Sequence, residues 1–226
     1  MYYDETNEVV ANFAKISGTV VDDPVVSHMV EDEKFYEFKV AVERLSKIKD
    51  IIPVTVSERA IFNPMKKGDF VEVEGEYRSY NKLFNDRSRL VLHLFAKDVA
   101  ILEEAKENIN EVKLVGFLCK EPVYRKTPLD REICDILIAV NRPNFHKSDY
   151  VPCILWGRNA RFVANQNIGS KIEIVGRIQS REYTKQHPNG ETENKTAYEV
   201  SCQRVSLVAN LKGFVKDDEE AGKVVF

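Results

Sequence analysis

Residues 139–142 and 150–158 read AVNR and YVPCILWGR, and the first half of the chain carries matching stretches, AVER at 41–44 and IIPVTVSER at 51–59. In each half, two runs rich in β-branched and apolar residues are separated by a polar connection. This pattern is typical of two neighbouring β-strands. The sequence therefore predicts one β-rich unit that occurs twice.

The match between the halves extends beyond these stretches. Gly18 corresponds to Gly116, 98 residues further on, and the separation grows to 101 at Gly75 and Gly176. It increases only between candidate strands, and insertions confined to loops are typical of a true repeat. Each unit of about 100 residues can bury its own core. We expect a first domain at residues 1–102, a linker at 103–110, a second domain at 111–210 and a C-terminal tail at 211–226.

Composition excludes several classes of protein. The chain is 43% hydrophobic and 31% charged, which is ordinary for a soluble globular protein, and no apolar run approaches the roughly 18 residues of a membrane helix. The first residues, MYYDET, lack the basic and apolar regions of a secretory signal, so we expect a cytoplasmic protein. The four cysteines and four histidines show no metal-ligand spacing, so we expect neither a metal nor a cofactor.

The second half divides clearly into strands and one helix. The runs rich in β-branched and aromatic residues lie at 112–119, 133–141, 150–156, 171–181 and 196–207. Residues 159–168 read as a short helix that Gly169 ends, and HPNG at 187–190 marks a hairpin tip. Three strands, a helix and two strands is the order of the OB-fold. We predict an all-β chain of two tandem five-stranded OB barrels with one short helix each. A generic barrel that binds no ligand is the alternative interpretation.

Several motifs of the second half carry a family resemblance. NEVKLVG at 110–116, EP at 121–122, IAVNR at 138–142, PCILWG at 152–157 and VGRIQSREY at 175–183 resemble successive motifs of the bacterial single-stranded DNA-binding proteins. The resemblance covers nearly all of residues 110–208 and is weaker over 7–102. Most such proteins have one OB domain per chain and form tetramers, whereas a minority have two and form dimers. The resemblance therefore implies a homodimer with four OB domains.

Alternation along the third strand of the second domain separates a core face from an outer face. Val151, Cys153 and Leu155 share one wholly apolar face, so they are candidate core residues. Tyr150 and Trp156 then lie on the other face, about 20 Å apart at roughly 3.3 Å per residue. That separation accommodates several stacked bases.

The candidate binding residues are aromatic and cationic side chains, which suit non-specific contact with a single strand because stacking tolerates every base and cations neutralise phosphates. The resemblance implies base stacking by Tyr150, Trp156 and Tyr183, and by an aromatic at or beside Phe145. The candidate phosphate contacts are Arg142, Lys147, Arg158, Arg177, Arg181 and Lys185.

The first domain lacks most of this chemistry at the matching positions. Ile51 and Ser57 replace the two aromatics, and the fourth strand offers Glu72, Glu74 and Glu76. Residues 1–102 carry 14 Lys and Arg against 18 Asp and Glu, a net charge of −4, whereas residues 111–212 carry 16 against 11, a net charge of +5. We expect the first domain to bind weakly or to serve assembly, although Tyr80 and Phe84 could restore some affinity.

The end of the chain resembles the acidic tip with which bacterial family members dock onto replication and repair enzymes. The candidate partner-binding residues are Asp217, Asp218, Glu219, Glu220 and Phe226. An apolar stretch containing Lys223 separates the acids from Phe226, and Val225 stands where the family has Pro. A frayed polar terminus, or a strand closing onto a neighbouring subunit, is the alternative.

The sequence shows no catalytic constellation, and two functions remain open. The first is single-stranded DNA binding without sequence preference, chiefly through the second domain, in support of DNA replication, recombination or repair. The alternative is a diverged paralogue whose barrels hold a protein assembly together and whose contact with DNA is weak or lost. The acidic first half favours the alternative, and the aromatics of the second half favour DNA binding.

Overall fold

A computed structural model describes residues 10–61, 63–84, 87–104, 107–143, 147–186 and 190–208. The strands of the first domain are β1 Asn12–Val20, β2 Val25–Val30, β3 Glu33–Glu43, β4 Lys49–Ser57, β5 Phe70–Phe84 and β6 Arg87–Leu102. Hydrogen bonding runs from β1 through β3, β4, β6 and β5 back to β1. These five strands therefore close into a barrel, and β2 lies outside it, paired with β3.

The second domain repeats this arrangement. Its elements are β7 Asn110–Leu118, β8 Val123–Lys126, β9 Glu132–Asn141, β10 Ser148–Trp156, α1 Gly157–Ala164, β11 Lys171–Gln186 and β12 Thr192–Leu207. The ring β7, β9, β10, β12, β11 closes in the same way, with β8 as the extra edge strand. The two tandem OB barrels predicted from the sequence are confirmed.

The helices differ from the prediction. Helix α1 ends at Ala164, and Asn165 occupies its C-cap, so Gly169 does not end the helix. Instead Gly169 has a φ of 86° and donates its N–H to the carbonyl of Leu118, within the connection to β11. The first domain has only a 3₁₀ turn at Glu58–Ala60 in this place among its described residues. The expectation of one helix per domain is therefore wrong for the first.

The core faces agree with the alternation of the sequence. Val151, Cys153 and Leu155 are buried in the second barrel. The matching residues of β4, which are Ile52, Val54 and Val56, are fully buried in the first. The alternation with a period of two, which both copies share, therefore turns the same face of the strand toward the core in each barrel.

The barrels are joined through one continuous sheet. Strand β1 pairs antiparallel with β7, with Ala14 opposite Val112 and two further pairs on each side. The linker runs along this junction, where the Ser17 hydroxyl donates to the carbonyl of Glu107 at 2.9 Å and accepts from the N–H of Ile109 at 2.7 Å. Together the barrels form a sheet of twelve strands with β2 and β8 at its edges.

Across the described part of the chain, no helix combines the length and the apolar character needed to cross a membrane.

Candidate nucleic-acid interface

Two large aromatic side chains stand on the outer side of β10. Tyr150 and Trp156 are 44% and 41% exposed, although the side chains that alternate with them are buried in the core. Ile154 lies on the same face between them in the strand and is almost completely covered. The structure places both rings where the alternation of β10 predicted them.

Strand β11 adds a third ring and its cation to the same side of the sheet. Tyr183 is 40% exposed, and the guanidinium carbon of Arg181 lies 5.7 Å from the centre of its ring. The register aligns Ile154 with Ser201 of β12, and Ser201 with Arg177 of β11. Residues at even spacing from these partners share their face, so the rings of β10 and β11 lie on one face. We call this surface, formed by Tyr150, Trp156, Arg181 and Tyr183, the aromatic platform.

Three further cations of the predicted set are exposed around the platform. Lys147 precedes β10, Arg158 lies in the first turn of α1 directly after Trp156, and Lys185 follows Tyr183 on β11. Long exposed side chains at these positions can reach a phosphate chain whose bases lie on the rings. Lys147, Arg158 and Lys185 are therefore exposed and lie within three residues of a platform residue in the sequence.

Arg142, which the sequence predicted as a phosphate contact, is engaged in hydrogen bonds within the protein. Its Nε and Nη2 atoms donate to the two carboxylate oxygens of Asp149 at 2.8 and 2.6 Å, and Nη2 also donates to the carbonyl of Ser79 at 2.9 Å. The hydrogen bonds to the fully buried Asp149 raise the pKa of Arg142. This guanidinium joins the two domains and is not a free cation of the platform.

Arg177 is also engaged between the domains. Its Nη1 lies 3.3 Å from Oδ2 of Asp50 in the first domain, and its Nη2 lies 3.3 Å from Oε1 of Gln179. Burial, followed by the nearby guanidinium of Arg44, lowers the pKa of Arg177, whereas Asp50 opposes this shift. The sequence missed the contacts between the domains because Ser79 is 63 residues from Arg142 and Asp50 is 127 residues from Arg177.

Some predicted residues lie outside the described part of the chain. They are Phe145 in the connection before β10, and the tail residues Asp217, Asp218, Glu219, Glu220 and Phe226. Their roles stay predictions.

The acidic strand of the first domain is neutralised by local ion pairs. Lys15 Nζ lies 2.8 Å from Glu72 and 2.6 Å from Glu74, which raises the pKa of Lys15. Glu76 pairs with Arg78 at 2.8 Å and with Lys97 at 2.5 Å. These carboxylates therefore repel a phosphate chain less than the sequence alone indicated.

The first domain has an aromatic cluster of its own, which comparison of the third and fourth strands missed. His28 and Phe35 stack at 4.8 Å between ring centres, and Phe35, Phe95, His93 and Tyr80 continue the series at 5.4 to 6.4 Å. These rings come from β2, β3, β6 and the far end of β5. A cleft of about 390 Å³ lies beside Tyr80 and His93. Tyr80 is 38% exposed, and the Phe84 side chain is outside the described set.

Comparison with protein families gives a match over the second domain. The Single-strand binding protein family matches residues 109–208. The single-stranded DNA-binding protein of Enterococcus faecalis is 34% identical over 107 residues, which are 44% of this chain and 54% of that protein. Single-stranded DNA-binding protein A of Bacillus subtilis is 38% identical over 84 residues, which are 34% of this chain and 49% of that protein. The chain spans about half the length of these relatives.

Comparison with solved structures extends over both domains. The wild-type single-stranded DNA binding protein from Thermus aquaticus matches with a TM-score of 0.68 and 18% identity, covering 88% of this chain and 93% of that one. A deletion mutant of the same protein gives a TM-score of 0.69. At this identity the likeness shows the shared fold of two OB domains. The match to the single-strand binding protein family is confined to the second domain, at residues 109–208.

Proposed function

We propose that the chain binds single-stranded DNA without sequence preference, that the aromatic platform of the second domain makes the main contact, and that it has no catalytic activity. The observation that carries this proposal is the exposure of three aromatic side chains by 40% to 44% on one sheet face, although such side chains are usually covered. The relatives are single-stranded DNA-binding proteins by name, which supports the same ligand.

The chemistry of the platform fits a ligand that varies in base sequence. Each base offers a flat face, and stacking contributes roughly 1 to 3 kcal/mol per base. Arg181 already lies against Tyr183, so one cation and one ring can hold a phosphate and its base together. We assign phosphate contact to Lys147, Arg158, Arg181 and Lys185, and we leave out Arg142 and Arg177 because their guanidinium groups are bound to Asp149 and Asp50.

Trp156 provides the test, because it is the only tryptophan of the chain. Adding oligo-dT should quench its fluorescence, and the affinity should fall with salt with a slope of about 0.7 for each phosphate contacted. Trp156→Ala should weaken binding of a labelled oligo-dT by about tenfold, as expected for one lost stack. Unchanged emission at low salt, together with full retention of DNA by Trp156→Ala, would reject the proposal.

Leu207 offers a matched control for that substitution. It is 52% exposed at the end of β12 and is a large apolar residue outside the platform. Leu207→Ala should leave the affinity for oligo-dT unchanged. An equal loss for both variants would indicate a general change in the fold and not a lost stack.

For the first domain we propose a main role in assembly, with the aromatic cluster as a secondary contact. Ile51 and Ser57 hold the positions of the platform rings, and β1 supplies the edge on which the second barrel is built. Tyr80→Ala should then reduce the affinity for oligo-dT much less than Tyr150→Ala does. Equal losses would show that both domains contribute equally. An assembly role of the first domain is compatible with both candidate functions. If Trp156→Ala has no effect on DNA binding, the result favours the alternative, in which the whole chain is an assembly module.

The wider setting is also a proposal. We propose a cytoplasmic protein that supports DNA replication, recombination or repair, forms a homodimer with four OB domains, and docks onto enzymes of those processes through residues 217–226. Mass measurement of the intact chain in solution tests the dimer. Deletion of residues 217–226, with oligo-dT affinity as a control, tests whether docking depends on the tail.

A further inference from the structure

One residue of the first domain holds the backbone at the start of the platform. Ser79, on β5, is 5% exposed and lies where β5 crosses the beginning of β10. The N–H of Tyr150 donates to the Ser79 hydroxyl at 2.7 Å, and the N–H of Ser79 donates to Oδ1 of Asp149 at 2.6 Å. The carbonyl of Ser79 accepts from Arg142 at 2.9 Å. Ser79 thus uses all three of its polar groups at this one junction.

These contacts fix the backbone from which a stacking side chain projects. Asp149 is fully buried and bound by the Arg142 guanidinium through both oxygens, so it is a rigid support. The next residue, Tyr150, has its N–H held by Ser79 while its ring is 44% exposed. The direction of the ring is set by the backbone because a Tyr side chain has only two rotatable bonds. A shift of the strand here would move the ring relative to Trp156.

The repeat supplies the same junction a second time with the domains exchanged. The N–H of Ile51 donates to the Ser180 hydroxyl at 2.9 Å, and the N–H of Ser180 donates to Oδ1 of Asp50 at 2.7 Å. Arg44 holds Asp50 through both oxygens, as Arg142 holds Asp149. Ser180 lies on β11, on the side opposite to Arg181. The residue that it holds, Ile51, has no ring to present, so the second junction can only be structural.

We infer that Ser79 of the first domain is a positioning residue for base stacking by Tyr150 of the second. The inference rests on the proposed function and adds to it a role for Ser79, which supports the platform of the second domain without itself touching the ligand. The hydroxyl groups and the N–H groups of the two serines make equivalent hydrogen bonds. Only Ser79 holds the backbone N–H of a residue whose ring can stack on a base, which is Tyr150.

The test compares Ser79→Ala with Ser180→Ala in the full chain. Each substitution removes one hydroxyl and keeps the backbone bonds to the aspartate, so both should lower the thermal midpoint by similar amounts. Ser79→Ala should weaken binding of labelled oligo-dT by about threefold to tenfold. Ser180→Ala should leave it unchanged. The slope of affinity against salt should stay that of the wild type for Ser79→Ala, because no phosphate contact is removed.

The substitution Tyr150→Ala separates a positioning role from a purely structural one. If Ser79 acts through the ring, adding Ser79→Ala to Tyr150→Ala causes no further loss of affinity. Losses that multiply in the double variant, or equal losses for Ser79→Ala and Ser180→Ala, would overturn the inference while leaving DNA binding itself established. If the wild type fails to bind oligo-dT, the proposed function fails and the inference fails with it.

Discussion

His93 shows how a single side chain can make stability depend on pH. Its Nδ1 lies 2.6 Å from the Thr55 hydroxyl, and the rings of Tyr80 and Phe95 pack against it. Burial, and then the guanidinium of Arg78, lowers the pKa of His93 from 6.5 to about 4. The folded chain therefore keeps His93 neutral at a pH where the unfolded chain protonates it.

The sign of the effect follows from this difference. His93 contributes its full stabilisation above pH ~6.5 and loses it as the pH falls toward about 4, since the unfolded state then binds the additional proton. We expect a loss of about 2 to 3 kcal/mol over that window. Between about pH 7.5 and about pH 4.5, the free energy of unfolding should fall less for His93→Gln than for the wild type. Urea denaturation at the two pH values measures this difference. Parallel curves for the two proteins would exclude His93 as the cause, and His28→Gln provides an exposed histidine as a control.

Asp149 is a buried carboxylate whose contribution to stability depends on its hydrogen-bond partners. Asp149→Ala leaves Arg142 half-buried without its carboxylate and removes the acceptor of the Ser79 N–H. We expect a loss of about 3 to 5 kcal/mol in the free energy of unfolding. The surface pair of Arg125 and Asp135 gives the comparison, because Asp135→Ala should cost at most about 1 kcal/mol. Chemical denaturation measures both, and similar losses would contradict a structural role for the buried pair.

At the scale of elements, the sequence predicted correctly which face of a strand each side chain occupies, because this depends only on local periodicity. The alternation in β10 identified both the core residues and the exposed rings, because the side of a strand follows from counting along it. The roles of Arg142 and Arg177 were not predictable, since their carboxylate and carbonyl partners come from another strand or the other domain. The aromatic cluster escaped for a related reason. Its rings come from four strands and meet only in the folded barrel.

The two edge strands of the sheet differ in their protection against pairing with another chain. Strand β8 carries Arg125 and Lys126, which form ion pairs with Asp135 and Asp130. Strand β2, VVSHMV at Val25–Val30, has no Asp, Glu, Lys or Arg, and all six residues are exposed. Charge on an edge strand discourages association, so β2 is the less protected edge.

A charge placed on β2 should therefore change association more than one placed on β8. We expect Val26→Lys to reduce the concentration-dependent light scattering of the protein, with a change of less than about 0.5 kcal/mol in the free energy of unfolding. Val123→Lys on β8 is the matched control, since Val123 is similarly exposed and its strand is already charged. Equal scattering by Val26→Lys and the wild type would argue against association through β2.

At the scale of the whole molecule, the two barrels are related by an approximate two-fold axis between β1 and β7. Asn12 lies opposite Leu114, and Ile16 lies opposite Asn110. In the repeat, Asn12 corresponds to Asn110 and Ile16 to Leu114, so the two pairs are equivalent. The exchanged serine and aspartate contacts obey the same symmetry. The chain is thus organised as a dimer of domains within one polypeptide.

This symmetry predicts how the second domain behaves alone. Removing the residues before Glu107 leaves the edge of β7 without β1. A second copy of β7 can occupy it in the same register, with Val112 opposite Val112 and Glu111 opposite Lys113. Ser180 of one copy then meets Asp149 of the other, as Ser79 does in the intact chain. We expect residues 107–208 to form a dimer, measured by light scattering after size-exclusion chromatography. In the intact chain β1 already occupies that edge, so the homodimer proposed for it forms through other surfaces. A folded monomeric fragment would show that the junction requires the covalent linker.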